Sequence, residues 1–271
     1  MTKKFEPKQL DKLPRLIILA QDRSSGKTLA AAIFATFAVM AGYKLVIFQN
    51  DRQSRLSMYG EVHRIEVAST EIILDNELAD IDAHDPLLTA IGELANDPEL
   101  VVIYDLAAGS IARVPDIIDA LNINDRMVAM GETALTIVPV TARTDIAESG
   151  LRTVTEFQRV LSDHPTMPMI SYRDGSFADL PSHHPFHKTL SEARHGSLHF
   201  PKVNKQMAVL FEQLSIPLHE VGDPEGSLTP ARLAADLGVS ESRASFLIAT
   251  CRHILTEMVE QAECLGFQFG A

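Results

Sequence analysis

Apolar residues along this chain come in short continuous runs that are separated by longer stretches with helical periodicity. Residues 16–20 and 44–48 form two such runs, and runs of this kind are typical of strands that are buried on both faces of a parallel sheet. Between them, an alanine-rich stretch from about residue 27 to residue 41 predicts a helix that ends at Gly42. The chain therefore opens with a predicted strand–loop–helix–strand unit.

The same alternation continues as far as residue 172. Strands are predicted at residues 65–67, 72–74, 100–104, 134–140 and 167–172, and helices at residues 85–96, 114–121 and 145–162. The last helix has an apolar face made by Ile146, Leu151, Val154, Phe157 and Leu161. Strands that alternate with helices predict an α/β fold with a doubly wound, mostly parallel sheet and helices on both faces.

The pattern changes near residue 173. Pro, His, Ser and Gly cluster between residues 173 and 201, which predicts a long loop or a small insertion. Helices are predicted again at residues 204–214, 229–238 and 241–264. We therefore divide the chain into a first domain, residues 1–222, and a helical C-terminal segment, residues 223–271.

Composition and charge narrow the class of protein. The chain has 271 residues, 46% of them hydrophobic and 22% charged, which suits one sizeable α/β core. The net charge of -12 argues against a protein that coats DNA over its whole surface, but it is compatible with a local basic patch. Cys251 and Cys264 make neither a disulfide framework nor a zinc site. The longest apolar region, residues 29–42, is too short to span a bilayer, so we expect a cytoplasmic protein.

The strongest chemical signal lies between the first predicted strand and the first predicted helix. The run Ser24-Ser25-Gly26-Lys27-Thr28 matches the end of a phosphate-binding loop, whose backbone N–H groups surround a phosphate at the head of a helix. In such a loop Lys27 reaches the β- and γ-phosphates, and the Thr28 hydroxyl binds Mg²⁺. Gln21 stands where the full pattern has glycine. The alternative is an ordinary strand–turn–helix with an accidental Gly-Lys-Thr.

Two aspartates follow predicted strands. Asp51 comes just after residues 44–48, and Asp105 comes directly after residues 100–104. Because ligands of open α/β sheets bind at the carboxyl ends of strands, both should lie at the same edge as the phosphate loop. An aspartate there can hold Mg²⁺ through water or orient an attacking water. Alternatively, each aspartate caps the loop or helix that follows its strand.

Taken in order, these segments resemble the ParA/MinD group of deviant Walker-A ATPases, and the resemblance covers about residues 15–172. Residues 21–28 resemble the deviant phosphate loop. Residues 49–54 are similar to the segment in which the family has two aspartates followed by Pro-Gln, with Asp51 at the second aspartate. Residues 105–109 resemble its Asp-x-Pro-Ala-Gly segment, and residues 136–141 fit a family strand that ends in a proline-rich turn.

The resemblance implies ATP and Mg²⁺ as ligands. It implies that Lys27 binds phosphate and Thr28 binds the metal, while Asp105 holds Mg²⁺ through water. Asp51 would position the hydrolytic water. Further nucleotide contacts are implied for Asp22, Arg23, Ser24, Ser25 and Gly26, and for Tyr172 and Arg173 beside the adenine.

The resemblance also implies a homodimer with ATP between its subunits, which acts as a switch. Members position plasmids, chromosomes, division machinery or other cargo, and some serve conjugation. This chain departs from the family where Asp22 replaces its signature lysine. An aspartate is unfavourable beside a triphosphate unless it turns outward, and Arg23 offers a cation with a different reach.

Two other segments add candidate chemistry. Six of the ten histidines fall between His164 and His199. His183, His184 and His187 are close enough in sequence to suggest a metal site, but Pro185 prevents a regular helix from aligning them, and a solvated loop is the alternative.

Residues 229–240 resemble the first half of a helix-turn-helix, with Gly238 at the turn. A DNA-reading helix would then start near Glu241. The alternative is a helical hairpin that packs on the sheet or on a partner.

The sequence therefore supports two hypotheses of function. One is a slow Mg-dependent ATPase switch that works with a protein partner in plasmid partition, conjugation or intracellular positioning. The other is a degenerate module that holds nucleotide without turnover, or holds none, and acts as a scaffold or as a DNA-linked adaptor through its C-terminal helices.

Overall fold

A parallel sheet organises the chain. The computed structural model describes residues 13–23, 25–50, 56–66, 76, 78–203, 205–264 and 266. Within them the strands are β1 Leu16–Leu19, β2 Lys44–Gln49, β3 Glu61–Arg64, β4 Leu100–Asp105, β5 Ala134–Val140, β6 Thr166–Ser171 and β7 Leu198–Phe200. Their order is β3-β2-β4-β1-β5-β6-β7, and every pairing between them is parallel. The strand order reverses at β1, so the ligand position of a doubly wound sheet lies just beyond Leu19.

Helices cover both faces of this sheet. They are α1 Lys27–Met40, α2 Ala79–Asp82, α3 Asp85–Glu93, α4 Val114–Ala120, α5 Ile123–Ala129, α6 Thr144–Val160, α7 Pro185–Glu192, α8 Lys205–Gln213, α9 Leu218–Gly222, α10 Pro230–Leu237 and α11 Glu241–Cys264. In β1, Ile17 and Leu19 join the core under α1, while Leu16 and Ile18 join the core of the opposite face. Side chains of a strand alternate between faces, and both faces here are apolar. The predicted fold class and the helical C-terminal segment are confirmed.

The C-terminal helices pack on the same face as α1. Leu233 of α10 and Leu247 of α11 belong to the core that contains Phe34 of α1. The Arg252 side chain also donates a hydrogen bond from Nε to the carbonyl oxygen of Gly222, at 3.1 Å. The division of the chain at residues 222–223 stays a prediction.

The strand predicted at residues 65–67 is wrong in position. The strand lies at Glu61–Arg64, in register with Val46 to Gln49 of β2, and after it Ile65 makes one more bond to β2, from its N–H to the Gln49 carbonyl at 3.0 Å. β3 is an edge strand whose side chains are exposed or half-buried, so it lacks the apolar run by which buried strands are recognised. The strand predicted at residues 72–74 lies outside the described residues.

Residues 173–201, predicted as a long loop or a small insertion, contain α7 and β7, so the segment is not one long loop. Pro185 begins α7 rather than breaking it, because the first turn of a helix does not use the missing N–H. His184 caps the helix, as its Nδ1 accepts a hydrogen bond from the Phe186 N–H at 3.3 Å. β7 has three residues and completes the sheet beside β6.

A buried polar network joins the helical layer to the end of β4. The His84 side chain is fully buried. Its Nδ1 lies 2.6 Å from the Asp80 carbonyl oxygen, and its Nε2 lies 2.7 Å from the Tyr104 hydroxyl. Because the carbonyl can only accept, Nδ1 carries the proton and Nε2 accepts from Tyr104. Burial lowers the pKa of His84, so the imidazole is neutral in the folded protein.

This network predicts that the protein loses stability in acid. Unfolded histidines take up a proton below about pH 6.5, whereas His84 does not until its lower folded pKa is reached. Its contribution is therefore complete above about pH 6.5 and declines below it. We expect the free energy of unfolding in urea to fall between pH 6.5 and 5.5 through this group, by no more than about 1 kcal/mol.

His84→Gln removes the titrating group and should flatten that dependence. The pKa values of His184, His195 and His219 are also lowered by burial, so part of the acid sensitivity should persist in the variant. If the free energy of unfolding depends equally steeply on pH in the wild type and in His84→Gln, the contribution assigned to His84 is wrong.

Candidate functional site

A cavity of about 760 Å³ opens at the carboxyl edge of the sheet. Its polar wall includes Ser25, Gly26, Lys27, Thr28, Asp105 and Arg173. Its apolar wall includes Tyr59, Met169, Phe200, Pro201 and Phe211. A concave site with few polar groups on an apolar background is typical of small-molecule binding, and this one lies beside the point where the strand order reverses.

The head of α1 contributes to the polar wall of this cavity. Gly26 adopts the left-handed conformation, with φ of 99°, and no side chain of the described residues caps the helix that begins at Lys27. The first-turn N–H groups of a helix have no partner within the helix, and they carry the positive end of its dipole. Ser25 is 1% exposed, and its Oγ has no hydrogen-bond partner in the described part of the chain. This group of donors suits an oxyanion.

Lys27 lies across the loop between β1 and α1. Its Nζ donates to the carbonyl oxygen of Gln21 at 2.5 Å and to that of Arg23 at 3.2 Å. Both contacts are to main-chain atoms of the loop, and the side chain borders the cavity. The ammonium group is therefore held at the loop, close to where an anion at the head of α1 would bind.

Gln21 holds the start of the loop between β1 and α1 through hydrogen bonds of its side chain. Its side chain is fully buried, and its Nε2 donates to the carbonyl oxygens of Pro139 at 3.0 Å and Ile146 at 3.3 Å. Its Oε1 accepts from the Ser149 hydroxyl at 2.6 Å and from the Asp22 N–H at 2.8 Å. The residue in the glycine position is thus a structural tie between the loop, β5 and α6.

Asp22 is directed towards a neighbouring segment. Its Oδ1 accepts a hydrogen bond from the Ile111 N–H at 3.2 Å, in the short 3₁₀ helix Ser110–Ala112 that follows β4. This contact uses the Asp22 carboxylate within the fold. Arg23 is exposed. Ser24 and Asp51 lie outside the described residues.

Asp105 and Thr28 border the same cavity. Asp105 is the last residue of β4 and is 4% exposed. Its Oδ2 accepts a hydrogen bond from Gln49 Nε2 at 3.1 Å. A hydroxyl and a buried carboxylate beside an anion site are oxygen ligands of the kind that Mg²⁺ takes.

Tyr172 and Arg173 occupy different surroundings although they are adjacent in sequence. Arg173 is exposed and borders the cavity with Asp174. The Tyr172 ring instead packs edge-on against Phe177, with 5.3 Å between ring centroids, and its hydroxyl lies 3.4 Å from His199 Nδ1.

Sequence reasoning missed the apolar wall, above all Pro201 and Phe211. Pro201 is the last residue of the region predicted as a long loop or a small insertion, and Phe211 lies ten residues beyond it. The signal that could have located Pro201 is the apolar–polar–apolar alternation of Leu198, His199 and Phe200, which marks β7.

The histidine-rich and C-terminal segments also have defined surroundings. In the described part of the chain no three His, Cys, Asp or Glu side chains lie close enough to hold a metal ion.

Thr229 caps α10 by accepting the Arg232 N–H at 3.3 Å, and Gly238 turns the chain with φ of 64°. Glu241 and Arg243 are exposed at the start of α11, while Leu247 is buried. DNA binding by this hairpin stays a prediction. Over the described residues, no helix has the length and apolar character needed to cross a membrane.

Comparison with known proteins gives distant structural similarity. No family model matches the chain, and no curated protein matches it in sequence. A chain of the MinC:MinD cell division protein complex of Aquifex aeolicus aligns over 86% of this chain and 96% of its own length, at 13% identity and a TM-score of 0.44. The 54 kDa signal recognition particle protein of Aeropyrum pernix K1, in complex with GDP, aligns over 95% of this chain and 79% of its own length, at 13% identity and a TM-score of 0.38.

Proposed function

We propose that this chain is a ParA/MinD-like switch protein that binds ATP with Mg²⁺ in the cavity at the head of α1. The observation that supports it most is the convergence of three features on one cavity. These are the uncapped N-terminus of α1, the Lys27–Thr28 pair and the buried carboxylate of Asp105. Together they offer donors for phosphate oxygens and oxygen ligands for a cation.

Each residue has a role in this proposal. The N–H groups of Gly26, Lys27 and Thr28 hold the β-phosphate, and the Lys27 ammonium moves from the loop carbonyls to the β- and γ-phosphate oxygens. The Thr28 hydroxyl binds Mg²⁺ directly, and Asp105 holds it through water. Bound Mg²⁺ supplies neutralisation of the phosphate charge. Arg173, which borders the cavity, contacts the base, whereas the Tyr172 ring packs against Phe177.

Asp51 orients the attacking water in a slow hydrolysis. Asp51→Ala should therefore lower the rate of phosphate release by about 100-fold, the range expected for loss of a group that activates a nucleophile, while ATP affinity stays within about twofold. Single-turnover phosphate release, with calorimetric titration of Mg-ATP as the second readout, measures both quantities. Equal rates in Asp51→Ala and the wild type would remove Asp51 from the mechanism.

The proposal includes two copies that close on ATP and a protein partner that reads the closed state. That partner belongs to a system of plasmid partition, conjugation or intracellular positioning. Because the family's lysine position holds Asp22, whose carboxylate binds the Ile111 N–H, Arg23 supplies the cation that reaches the second subunit. Light scattering with and without Mg-ATP tests this closure, and an unchanged mass would reject it.

A non-hydrolysing scaffold is the second candidate, and the Asp22–Ile111 contact favours it. The position of the family's lysine holds the Asp22 carboxylate, which bonds to Ile111 of the same chain. That position therefore offers no cation to contact the nucleotide of a second subunit. Calorimetry separates the two candidates, since binding without phosphate release supports the scaffold and no binding rejects a nucleotide role. Duplex DNA titrated at two salt concentrations tests the C-terminal helices, because phosphate contacts weaken with salt.

A further inference from the structure

Gln49 is a buried polar residue that ends strand β2 directly after a run of four apolar residues. It is the last residue of β2, it is 2% exposed, and its register partner on β4 is Asp105. The residues before it in β2, from Leu45 to Phe48, are all apolar. Burial of an amide costs free energy unless its hydrogen bonds are made, so the contacts of Gln49 indicate what the side chain does there.

The nitrogen of the Gln49 side-chain amide makes a hydrogen bond, whereas its oxygen has no partner among the described residues. Nε2 donates to Asp105 Oδ2 at 3.1 Å. Oε1 is buried, and no hydrogen-bond partner for it is found in the described part of the chain. The amide is planar, so this unused acceptor is rigidly linked to the nitrogen that binds the carboxylate. A buried acceptor without a partner is unfavourable, and a donor group bound beside Asp105 would satisfy it.

The charge of the neighbour explains why an amide suits this position. The Gln49 amide can donate a hydrogen bond to the Asp105 carboxylate, whereas a second ionised carboxylate at this position could only accept one. Donation to Oδ2 also restricts rotation of the carboxyl group. A ligating carboxylate is usually held by such outer hydrogen bonds, and their loss weakens metal binding.

We propose that Gln49 is a positioning residue for the cation site, and this rests on the proposed function. Nε2 orients the Asp105 carboxylate towards a hydrated divalent cation. Oε1 accepts a hydrogen bond from a water molecule of that cation. Gln49 touches neither the nucleotide nor the reacting atoms, so it acts on metal affinity and leaves metal-free nucleotide binding unchanged.

Two substitutions of Gln49 test this. Gln49→Met keeps the approximate volume and removes the amide, and Gln49→Ala removes both. Titration with a fluorescent ATP analogue at increasing Mg²⁺ should give a half-saturating Mg²⁺ concentration raised about tenfold or more in both variants. Affinity for the analogue in EDTA should stay within about twofold of the wild type. Binding of Mn²⁺, followed by electron paramagnetic resonance, should weaken in parallel.

Thr136→Val is the matched control, because Thr136 is a fully buried polar residue of β5 whose Oγ1 has no partner in the described residues. It should leave the Mg²⁺ dependence unchanged. If Mg²⁺ strengthens wild-type binding and Gln49→Met behaves like the wild type, the positioning role is rejected and the proposed function stands. If Gln49→Met binds the analogue more weakly by the same factor with Mg²⁺ and in EDTA, the positioning role is also rejected. If Mg²⁺ does not strengthen wild-type binding, both proposals fail.

Discussion

Lys27→Ala is expected to lower the affinity for Mg-ATP by about 100-fold. In the folded protein the Lys27 ammonium lies at the phosphate loop, bonded to the carbonyls of Gln21 and Arg23. Hydrogen bonds to charged groups contribute about 1.5–3 kcal/mol, and each 1.4 kcal/mol corresponds to about tenfold in affinity. Isothermal titration calorimetry measures the change directly.

Lys188→Ala provides the control for this substitution. Lys188 is an exposed lysine on α7, so its loss changes the net charge equally without changing the cavity. The Lys27 side chain is half-buried and its described contacts are to the loop itself, so we expect both variants to unfold within about 1 kcal/mol of the wild type. Equal affinities in Lys27→Ala and Lys188→Ala would reject a phosphate site at the head of α1.

Local features of the sequence were sufficient to predict the centre of the fold. The buried run of β1, the small residues of the loop and the alanine-rich α1 are neighbours along the chain. Their patterns therefore report directly on β1, Gly26 and the helix start at Lys27. Asp105 was placed correctly at a strand end because a continuous apolar run precedes it.

Edge strands escaped prediction for a physical reason. β3 and β7 have a partner on one side only in the described sheet, and both are short, so neither requires a long apolar run. β3 carries charged residues at Glu61 and Arg64, and β7 lies in a segment rich in turn-forming residues. Their positions depend on pairing with β2 and β6, which sequence periodicity does not report.

The hydrogen-bond partners of Gln21 and Asp22, the first residues of the loop, also could not be predicted from the sequence. Gln21 and Asp22 appeared as departures from a pattern, and their partners lie far away along the chain. Ile111 is 89 residues from Asp22, and Ser149 is 128 residues from Gln21. Only the folded chain shows that the glutamine ties the loop to α6 and that the aspartate faces the 3₁₀ helix.

The tie made by Gln21 predicts a large loss of stability in Gln21→Leu. The leucine fills a similar volume, but the Ser149 hydroxyl, the Asp22 N–H and the two carbonyl oxygens below the loop all lose their partner. An unsatisfied buried polar group costs about 1–3 kcal/mol, and some of these groups will find other partners, so we expect the free energy of unfolding to fall by about 3 kcal/mol. Urea denaturation measures it. Thr166→Val, at a fully buried β6 residue whose Oγ1 has no partner among the described residues, should be nearly neutral.

A double-mutant cycle with Ser149→Ala separates this network from simple loss of packing. The Ser149 hydroxyl donates to Gln21 Oε1 at 2.6 Å, so removing it first should make Gln21→Leu less costly by at least about 0.5 kcal/mol. Additive losses would mean that the two side chains stabilise the fold independently. Coupling between the two substitutions would show that Gln21 and Ser149 stabilise the fold together. Weaker ATP binding in Gln21→Leu would show in addition that Gln21, at the position where the phosphate-loop pattern has glycine, controls the geometry of the loop before α1.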